Sequence, residues 1–509
     1  MEPPRGEKSA KQLLVILLSW RFQFRQKGDP NSFWRAGFVE ARASHKEREG
    51  SRVSESRAKI QPRVLKGFRD YLPPAMMMRE KIMEIARRVY RSYGFSPIDT
   101  PALEYLEILL GKGGEETDRQ LYKFQDHGGR WVALRFDLTV PFARFAAEHI
   151  NQLGIPLKRY QIGTVWRGEN PQRGRYREFV QCDFDTIGTK SLAADIETAL
   201  VINDLLEAIG FQDFTIRINS RLVLSGILEH LGLEEKAVPI LRALDKLAKV
   251  GPSQVLKEIE ASGVAPEKAQ DFLERVTSAS SQPSNHGVLQ ALEAAVGSSR
   301  AGQEGVANLR EVLAGVEAAG IPGDRVRLDP SIARGLDYYT GTVYETFLSA
   351  APEIGSVCSG GRYDNLAALY TDQELPGVGA SLGLDRLLAA MEKLAMVPSA
   401  VTPASVFVAY FDPEHFHDYL RICSSLRAHG LNVDFYPEPK KLTHQLRYAD
   451  RRGFPVAVIL GSEEFRSGVA KVKDLKKGLE ITVPLDAGYH KLREAIQAIL
   501  CGETPSAAE

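Results

Sequence analysis

The first strong pattern in the chain is a stretch of apolar residues at helical spacing. Between Pro74 and Tyr93, apolar side chains recur three and four positions apart, which predicts an amphipathic helix. A proline near its start and Gly94 just past its end are typical of helix boundaries. Residues 95–103 contain two prolines, so we expect an extended segment at the edge of a sheet. Residues 130–135 are strand-like.

The middle of the chain is mostly helical. A helix is predicted over residues 139–149, with Thr139 as its N-terminal cap. Between residues 221 and 322 the pattern predicts further helices around 237–250, 253–261, 267–276 and 302–319. Because strand-like segments flank this stretch on both sides, we expect a helical insertion over about 221–322 that interrupts one sheet.

The two ends of the chain differ from this main region, which we place at residues 64–394. Residues 395–404 hold two prolines and predict a linker. Beyond it strands and helices alternate, so residues 405–509 are predicted to form a separate α/β domain. The first 63 residues carry 14 Lys and Arg against seven Asp and Glu, without a regular apolar period. We interpret residues 1–63 as a basic, disordered leader without a part in the chemistry.

Composition narrows the class of protein. At 509 residues the chain is too long to fold around a single hydrophobic core, so more than one domain is expected. Its 44% hydrophobic and 26% charged residues are typical of globular domains. The four cysteines lack CxxC spacing, which argues against a zinc ribbon or a disulfide framework and favours a cytoplasmic protein. HExxH, a Walker lysine loop and a GxGxxG turn are absent, which excludes the commonest metalloprotease, P-loop and Rossmann functions. We expect no membrane partner, because the apolar run of the leader, residues 13–20, is far shorter than the roughly 20 residues of a membrane span.

Charge gives a weaker indication. The formal net charge is zero, so any contact with nucleic acid has to come from local basic patches. Two basic clusters lie in the last domain: Lys440, Lys441, Arg447, Arg451 and Arg452, and Lys471, Lys473, Lys476 and Lys477. A solvated surface and an RNA contact explain such clusters equally well.

The strongest chemical pattern is a predicted hairpin over residues 159–185. Two strands flank a polar loop at 168–176. Alternation along the second strand places an aromatic and three polar side chains on one face, namely Phe179, Gln181, Asp183 and Asp185. The same rule aligns Val165, Arg167 and Glu169 on the first strand. Such a hairpin could hold an amino acid beside a polyphosphate, although isolated charges of this kind are also compatible with surface salt bridges.

A second polar segment, residues 333–341, combines Arg334 with an aspartate and two tyrosines. This mixture is costly to bury without a polar ligand. An arginine can neutralise a carboxylate or a phosphate, and a tyrosine hydroxyl can hold a small polar ring. By itself the segment is also compatible with an ordinary strand that carries half-buried tyrosines.

The order of residues in the hairpin resembles the second motif of the class II aminoacyl-tRNA synthetases. In detail, RGENPQRGRYREFVQCDFD is similar to the version found in the histidyl-tRNA synthetase family. Other segments are similar to family motifs in the family order: the surroundings of Pro101, and residues 134–141, 333–341, 359–364 and 377–387. The resemblance extends from about Leu65 into the C-terminal domain.

This resemblance implies an α/β protein. Its α+β catalytic domain would hold a mixed, mainly antiparallel sheet flanked by helices and the helical insertion, followed by an α/β anticodon-binding-like domain. The implied enzyme is a ligase that activates L-histidine with ATP to histidyl-adenylate and pyrophosphate, then transfers histidine to the 3′ end of histidine tRNA. ATP would act as a substrate with Mg²⁺, with no other cofactor and no assigned metal ligands. A homodimer is implied as well.

The resemblance also implies roles for individual residues. The ATP contacts are Arg167 at the α-phosphate, Phe179 stacked on adenine, Arg386 at the far end of ATP, and Glu169 and Arg175 on the nucleotide. The α-amino group of histidine would be held by Asp137, Thr139 and Gln181. Asp185 and one or both of Tyr338 and Tyr339 would bond the two imidazole nitrogens. Arg334 would contact the histidine carboxylate and the α-phosphate, and with Arg167 it would be catalytic by stabilising charge.

Small departures and two alternatives accompany this interpretation. Asp137 and Asp385 stand where many relatives have Glu, and a Cys-Ser pair precedes Gly360 in place of small residues.

A catalytically silent paralogue, such as the regulatory subunit of ATP phosphoribosyltransferase, would lack ATP-binding arginines and the last domain, and both are present here. A different class II synthetase is disfavoured by residues 333–341 and 359–364, which resemble the two segments peculiar to the histidyl family.

Overall fold

The computed structural model describes residues 60–111, 115–333, 338–398 and 400–503, the side chains of 115–117 excepted. From Val64 onward the described chain forms one compact unit. Nearly all of the predicted leader therefore lies outside the described residues.

Strands and helices are numbered here along the described chain. The strands are β1 (Ser96–Pro97), β2 (Leu103–Tyr105), β3 (Lys123–Gln125), β4 (Trp131–Leu134), β5 (Leu157–Trp166), β6 (Glu178–Ile187), β7 (Phe214–Ser220), β8 (Val326–Leu328), β9 (Thr342–Leu348), β10 (Cys358–Tyr363), β11 (Gly377–Gly383), β12 (Val406–Val408), β13 (Val433–Phe435), β14 (Val456–Ile459), β15 (Val469–Asp474) and β16 (Glu480–Pro484). The α-helices are α1 (Pro73–Ser92), α2 (Leu106–Leu109), α3 (Glu115–Gln120), α4 (Thr139–Leu153), α5 (Leu192–Ile209), α6 (Arg221–His230), α7 (Ala237–Leu244), α8 (Leu247–Val250), α9 (Pro252–Ala261), α10 (Pro266–Ser280), α11 (Asn285–Val296), α12 (Arg300–Ala318), α13 (Leu384–Lys393), α14 (Phe416–Ala428), α15 (Leu442–Arg452), α16 (Ser462–Ser467) and α17 (His490–Leu500).

The main sheet has the strand order β1-β5-β6-β11-β10-β9-β7-β8. β1 pairs in parallel with β5 and β7 with β8, while the other neighbours are antiparallel. The prediction of a mixed, mainly antiparallel sheet is therefore confirmed. The proline-containing segment after α1 forms the edge strand β1, which fits the missing N–H of proline. β2, β4 and β3 form a separate three-stranded sheet.

The two faces of the main sheet differ in chemistry. Along β6, Cys182 and Phe184 belong to the hydrophobic core that helices α1 and α5 cover. The Phe184 ring lies 5.1 Å from that of Tyr90, whose hydroxyl donates to the carbonyl oxygen of Cys182 at 2.9 Å. The alternate residues of β6, Gln181, Asp183 and Asp185, face the opposite side of the sheet, as the alternation of the strand predicts. That opposite side carries the polar cluster.

Helices α6 to α12 run between β7 and β8, which are adjacent parallel strands of the main sheet. Helices α6 and α11 were not among the predicted helices. α6 and α12 cross closely, since a Cβ added to Gly226 would lie 2.3 Å from Cα of Gly302. Side chains of the inserted helices, such as Phe272 of α10 and Leu292 of α11, belong to the same hydrophobic core as Ile216 of β7. The inserted helices therefore share their interior with the sheet.

The helix before the hairpin begins differently from the prediction. α4 starts at Thr139, so Thr139 is its first helical residue, and the N-cap position belongs to Leu138. Asp137 supplies the missing cap, because its Oδ1 accepts the backbone N–H of Val140 at 2.9 Å. A carboxylate at this end also interacts favourably with the helix dipole. Asp137 and Thr139 thus lie together at the start of α4.

The last part of the chain contains a five-stranded sheet with the order β13-β12-β14-β15-β16. β12 is parallel to β13 and β14, and the remaining pairs are antiparallel. Its hydrophobic core is separate and includes Phe407, Tyr419 and Val458. The alternation of strands and helices predicted beyond residue 405 is observed. Across the residues that the structure describes, no helix combines the length and apolarity needed to span a membrane.

Candidate active site

The β5–β6 hairpin carries the candidate site on the polar face of the sheet. Its strands are paired up to Trp166, so Arg167 and Glu169 lie in the connecting loop. The alternation in the sequence had instead predicted both residues on the first strand. The backbone N–H of Arg167 donates to the carbonyl oxygen of Arg177 at 2.9 Å, which closes the base of this loop. We call the region around Asp185 the sheet end of the site and the region around Arg167 the loop end.

At the sheet end, the Asp185 carboxylate lies between a cation and a phenol. Its Oδ2 is 2.7 Å from Nη2 of Arg159, and its Oδ1 accepts the hydroxyl of Tyr363 at 2.6 Å. The Arg159 side chain is fully buried, with its guanidinium 4.3 Å from the centre of the Phe142 ring. Burial raises the pKa of Asp185, while Arg159 opposes that shift. The carboxylate is thereby held in one orientation as an acceptor for a ligand.

Glycines of β11 provide the space for this arrangement. A Cβ added to Gly379 would lie 2.3 Å from Oδ1 of Asp185, and one added to Gly377 would lie 2.4 Å from the Tyr363 ring. Any side chain at these two positions would displace the carboxylate or the phenol, because packed interiors leave no room for such contacts. The glycine-rich segment predicted from the resemblance thus has a physical role at the sheet end.

The two adjacent tyrosines take different places. The hydroxyl of Tyr338 donates to Oδ2 of Asp137 at 3.5 Å. The Tyr339 ring packs against Gly361, where an added Cβ would lie 2.9 Å from Cδ1 of the ring. Burial raises the pKa of the Tyr339 hydroxyl, and among the nearby charges Asp185 adds most to that shift. Tyr338 therefore lies on the side of Asp137, and Tyr339 on the side of Asp185.

Buried acceptors without partners lie beside Asp185 on β6. Gln181 donates through Nε2 to Oγ of Ser381 at 2.8 Å, and its Oε1 has no hydrogen-bond partner within the described parts of the chain. Oδ1 of Asp183 is also buried and lacks a partner among those same residues. A buried acceptor costs free energy until a donor satisfies it. An ammonium group, with three donors, fits this requirement.

The ionisation of Asp183 reflects the same crowding of acceptors. Burial raises the pKa of its carboxyl to about 7, Arg159 lowers it, and the charges of Asp185 and Asp137 raise it further. A cationic group that enters the sheet end would reduce this repulsion. The electrostatics of the sheet end therefore favour a ligand with a positive charge.

The loop end positions guanidinium groups around an aromatic ring. Nε of Arg167 donates to the carbonyl oxygen of Phe136 at 3.1 Å. Its guanidinium lies 5.1 Å from the centre of the Phe179 ring. The backbone contact fixes this arginine next to the aromatic residue that is predicted to stack on adenine.

Two further arginines, one from the loop and one from α13, lie near the tip of the loop. Arg175 pairs with Glu169 at 3.5 Å. Gly174 has a φ of +73°, and a Cβ added there would lie 3.5 Å from Cα of Arg386 in the first turn of α13. Arg386 donates to the carbonyl oxygen of Ser356. The loop tip thus brings Arg175 and Arg386 to the same region.

The structure brings the described predicted residues into two adjoining groups. The sheet-end group consists of Asp137, Thr139, Gln181, Asp185, Tyr338 and Tyr339, and the loop-end group of Arg167, Glu169, Arg175, Phe179 and Arg386. The two groups adjoin at Phe136 and Asp137, since Arg167 donates to the carbonyl oxygen of Phe136 and its charge opposes the rise in the pKa of Asp137. Arg334 lies outside the described residues, so its predicted place remains a prediction.

Four residues of the sheet end received no role from the sequence: Arg159, Asp183, Ser381 and Tyr363. Extending the alternation of the first strand backwards from Val165 reaches Arg159, so that signal was present. Asp183 lay on the predicted polar face, and Tyr363 lay in a segment noted only for its resemblance. The position of Ser381 depends on its pairing with Asp183 across β11 and β6, which the sequence did not give.

Other chemistries find little support in the described residues. No group of three or more His, Cys, Asp or Glu side chains in those ranges could hold a metal ion. Burial raises the pKa of the Cys182 and Cys358 thiols well above the usual range, so neither is an activated nucleophile. The site instead offers binding contacts and fixed charges.

The mixed sheet, the two-ended polar site and the separate last domain together define a class II aminoacyl-tRNA synthetase. The family model for histidyl-tRNA synthetase matches residues 67–387, and the model for the anticodon binding domain matches residues 405–495. The chain therefore belongs to the histidyl-tRNA synthetase family. It is an aminoacyl-tRNA synthetase, and its family charges tRNA with histidine in translation.

Individual proteins agree with this assignment. The histidine–tRNA ligase of Rhodopirellula baltica is 55% identical over 442 residues, which cover 86% of this chain and 99% of the relative. That of Treponema denticola is 44% identical over 442 residues, or 85% and 98% of the two chains. The crystal structure of histidyl-tRNA synthetase from a Nostoc species superposes with a TM-score of 0.77 at 37% identity, covering 86% of this chain and 99% of that one.

Proposed function

We propose that this chain activates L-histidine with ATP to histidyl-adenylate and pyrophosphate, and then transfers the histidyl group to the 3′ end of histidine tRNA. The observation that carries the proposal is the unsatisfied buried acceptor Oε1 of Gln181, on the same face of β6 as the paired Asp185, where the crowding of acidic groups around Asp183 favours a cationic ligand. A free amino acid with a cationic α-amino group and an N–H-bearing side chain satisfies these groups together.

Histidine would bind at the sheet end. Its α-ammonium group would donate to Asp137, Thr139 and Gln181. Asp185 would accept from one imidazole nitrogen, and the Tyr339 hydroxyl would bond the other. We choose Tyr339 over Tyr338 because the Tyr338 hydroxyl is already directed to Asp137. A carboxylate plus a hydroxyl suits both the neutral and the charged imidazole.

ATP would bind at the loop end as its magnesium complex. Phe179 would stack on adenine and Arg167 would hold the α-phosphate. The remaining nucleotide contacts would come from Glu169, Arg175 and Arg386. Three arginines on two chain segments suit a polyphosphate, which accepts several charge-assisted hydrogen bonds at once.

The reaction needs no nucleophile from the protein. The histidine carboxylate attacks the α-phosphorus, a new O–P bond forms, and the bond from the α-phosphorus to the pyrophosphate oxygen breaks. The chain supplies alignment of the two substrates and neutralisation of developing charge. We assign that charge stabilisation to Arg167 and Arg334.

The last domain would contact the tRNA. Lys440, Lys441, Arg447 and Arg451, on and just before α15, are all exposed. Exposed Lys and Arg side chains can neutralise RNA phosphates and release their counterions, which favours binding. Lys440 and Lys471 pair with Glu438 and Glu464 at 2.7 and 2.9 Å, so these two would exchange a carboxylate for a phosphate.

We further propose a homodimer. Leu103 and Tyr105 on β2 and Phe124 on β3 are 44%, 50% and 44% exposed. The register aligns Tyr105 and Phe124 with the same β4 residue, so these side chains share one sheet face. This apolar face begins just after Pro101, in the region that resembles the dimer element of the family, and the mass of the chain in solution tests the assignment. We place the dimer in the cytoplasm, where buried free thiols such as Cys182 stay reduced.

The decisive test is the exchange of labelled pyrophosphate into ATP by the purified chain with each of the twenty amino acids. We expect exchange with histidine alone. Exchange with a different amino acid would overturn the assignment of the sheet end. Histidine binding without any exchange would instead favour a histidine sensor.

Replacing Arg334 by Ala tests the catalytic assignment. We expect histidine-dependent exchange to fall by a factor on the order of 100 or more while the fold stays intact, because a preorganised cation is lost. Circular dichroism checks the fold. Near-normal exchange in this variant would remove Arg334 from the mechanism.

A further inference from the structure

A short segment just before α1 contacts the loop end from outside. Residues 66–71, which we call the strap, carry no role in the site described above. The carbonyl oxygen of Gly67 accepts the backbone N–H of Arg177 at 2.7 Å, and the carbonyl oxygen of Lys66 accepts Nη1 of Arg177 at 3.4 Å. A Cβ added to Gly67 would lie 2.8 Å from the Arg177 side chain. The strap is therefore packed directly on the base of the loop.

The Arg69 side chain joins the strap to two other elements. Its Nη1 donates to the hydroxyl of Tyr176 at 2.8 Å, and its Nη2 is 3.5 Å from Oε1 of Glu392 in α13. The guanidinium also lies over the rings of Tyr71 and Tyr176, at 4.4 and 5.1 Å from their centres. Tyr176 directly follows Arg175. One side chain of the strap thus links the loop that carries Arg175 with the helix that carries Arg386.

The Tyr71 hydroxyl reaches the start of α13 by a second route. It donates to Oδ1 of Asp385, which also accepts Nη1 of Arg79 from α1. The other oxygen of Asp385 accepts the backbone N–H of Val180 at 2.9 Å. Asp385 is 3% exposed. This buried carboxylate therefore links the strap and α1 to β6 at Val180.

Several of these contacts lie next to the proposed ATP residues. Tyr176, which Arg69 contacts, follows Arg175, and Asp385, which Tyr71 contacts, precedes Arg386. Through Asp385 the strap also reaches Val180, which lies between Phe179 and Gln181. Within the described parts of the chain, the strap itself contacts none of the residues assigned to the sheet end. Its direct contacts are thus concentrated on the nucleotide half of the site.

We propose that the strap is a positioning element for ATP: it holds Arg175, Phe179 and Arg386 in the geometry that receives the nucleotide. Groups held in place before binding lose less entropy when the ligand arrives, so affinity rises. The strap touches only the supports of these residues. Its loss should therefore weaken ATP binding without changing histidine binding. This inference rests on the proposed function of the loop end.

The test compares Arg69→Met and Tyr71→Phe with an exposed control, Arg88→Met on α1. In the exchange assay we expect the KM for ATP to rise about five-fold in each strap variant, as for the loss of one supporting hydrogen bond. The KM for histidine should stay at the wild-type value, and the melting temperature should fall by only a few degrees, as for the loss of one hydrogen bond. Arg69→Lys, which keeps the charge, should fall between wild type and Arg69→Met, and Arg88→Met should match wild type.

Amide hydrogen exchange gives a readout that does not depend on catalysis. In Arg69→Met we expect faster exchange in peptides covering residues 170–180, because their outside support is weakened. An unchanged KM for ATP with unchanged exchange in this region would overturn the proposal, as would equal rises in the KM for ATP and for histidine. If the wild-type chain lacks ATP–pyrophosphate exchange altogether, the proposed function fails first, and the amide exchange still reports whether the strap supports the loop.

Discussion

The two ends of the β5–β6 hairpin solve different binding problems. At the sheet end, Asp185 is buried between Arg159 and Tyr363, and glycines of β11 leave room for them. At the loop end, arginines are partly exposed and are supported by contacts from other segments, such as Gly174 of the loop tip on α13. A small ligand can be selected by a rigid, buried pocket. A large, charged ligand that has to enter and leave requires groups on the surface that are supported from behind.

Removing the buried carboxylate should break the sheet end most severely. In Asp185→Asn we expect histidine-dependent exchange to fall on the order of 1000-fold, because the charged acceptor proposed for the imidazole is lost, and the free energy of unfolding to fall by about 3–5 kcal/mol, because Arg159 loses its buried partner. The measurement is pyrophosphate exchange at saturating ATP, together with a melting curve. Asp372→Asn, a change at an exposed position, serves as the control. A KM for histidine within a few-fold of wild type would show that Asp185 does not contact the ligand.

Filling the space left by glycine should have the next largest effect. Gly379→Ala places a methyl group 2.3 Å from Oδ1 of Asp185, so the carboxylate has to move. We expect the KM for histidine to rise roughly 30-fold, in line with overpacking costs of about 1–3 kcal/mol, while the KM for ATP changes little. Gly323→Ala, where an added Cβ meets nothing within 4 Å, is the matched control. Equal rises in the KM for histidine and the KM for ATP would contradict the assignment of histidine to the sheet end.

The two tyrosines separate the imidazole contact from the amino-group contact. Tyr339→Phe should raise the KM for histidine about ten-fold through the loss of one hydrogen bond to the ligand. Tyr338→Phe should raise it less, because its hydroxyl supports Asp137. Competition by imidazole-containing analogues that lack the amino group should weaken only in Tyr339→Phe. The reverse ranking would assign the imidazole to Tyr338.

The smallest effect concerns the pH dependence of stability. An unfolded aspartate loses its proton near pH 4, whereas the folded protein raises the pKa of Asp183 to about 7. The folded state therefore binds the proton more tightly, and this group's contribution to the free energy of unfolding declines as the pH rises between those values. Without ligand, Asp183→Asn should be more stable than wild type at pH 8, by about 1 kcal/mol or more, and equal to it at pH 4. Urea unfolding at the two pH values measures the difference, and an equal offset at both would contradict the assignment.

Local patterns in the sequence predicted the parts of the fold that depend on neighbours along the chain. The alternation along β6 separated Gln181 and Asp185 from Cys182 and Phe184, and helical spacing located α1 within one residue at either end. The start of α4 was placed less accurately, because the capping group comes from Asp137, two residues before the predicted cap.

Contacts between distant segments could not be predicted in this way. The pair of Arg159 and Asp185 depends on the register of the hairpin, and the strap reaches Asp385 across more than 300 residues of sequence. Both arise from the tertiary fold, which no local period encodes. Most predicted site residues came from the resemblance to a family, and Arg334 remains a prediction.

The shared core of the inserted helices bears on how this protein unfolds. Phe272 and Leu292 pack in the same apolar interior as Ile216 of the main sheet, whereas Phe407 and Tyr419 belong to a different interior. A segment that shares its apolar interior with a sheet is stabilised by that sheet, so the two tend to unfold together. We therefore expect the insertion to unfold together with the main sheet, and its excision would expose apolar side chains of that sheet, such as Ile216.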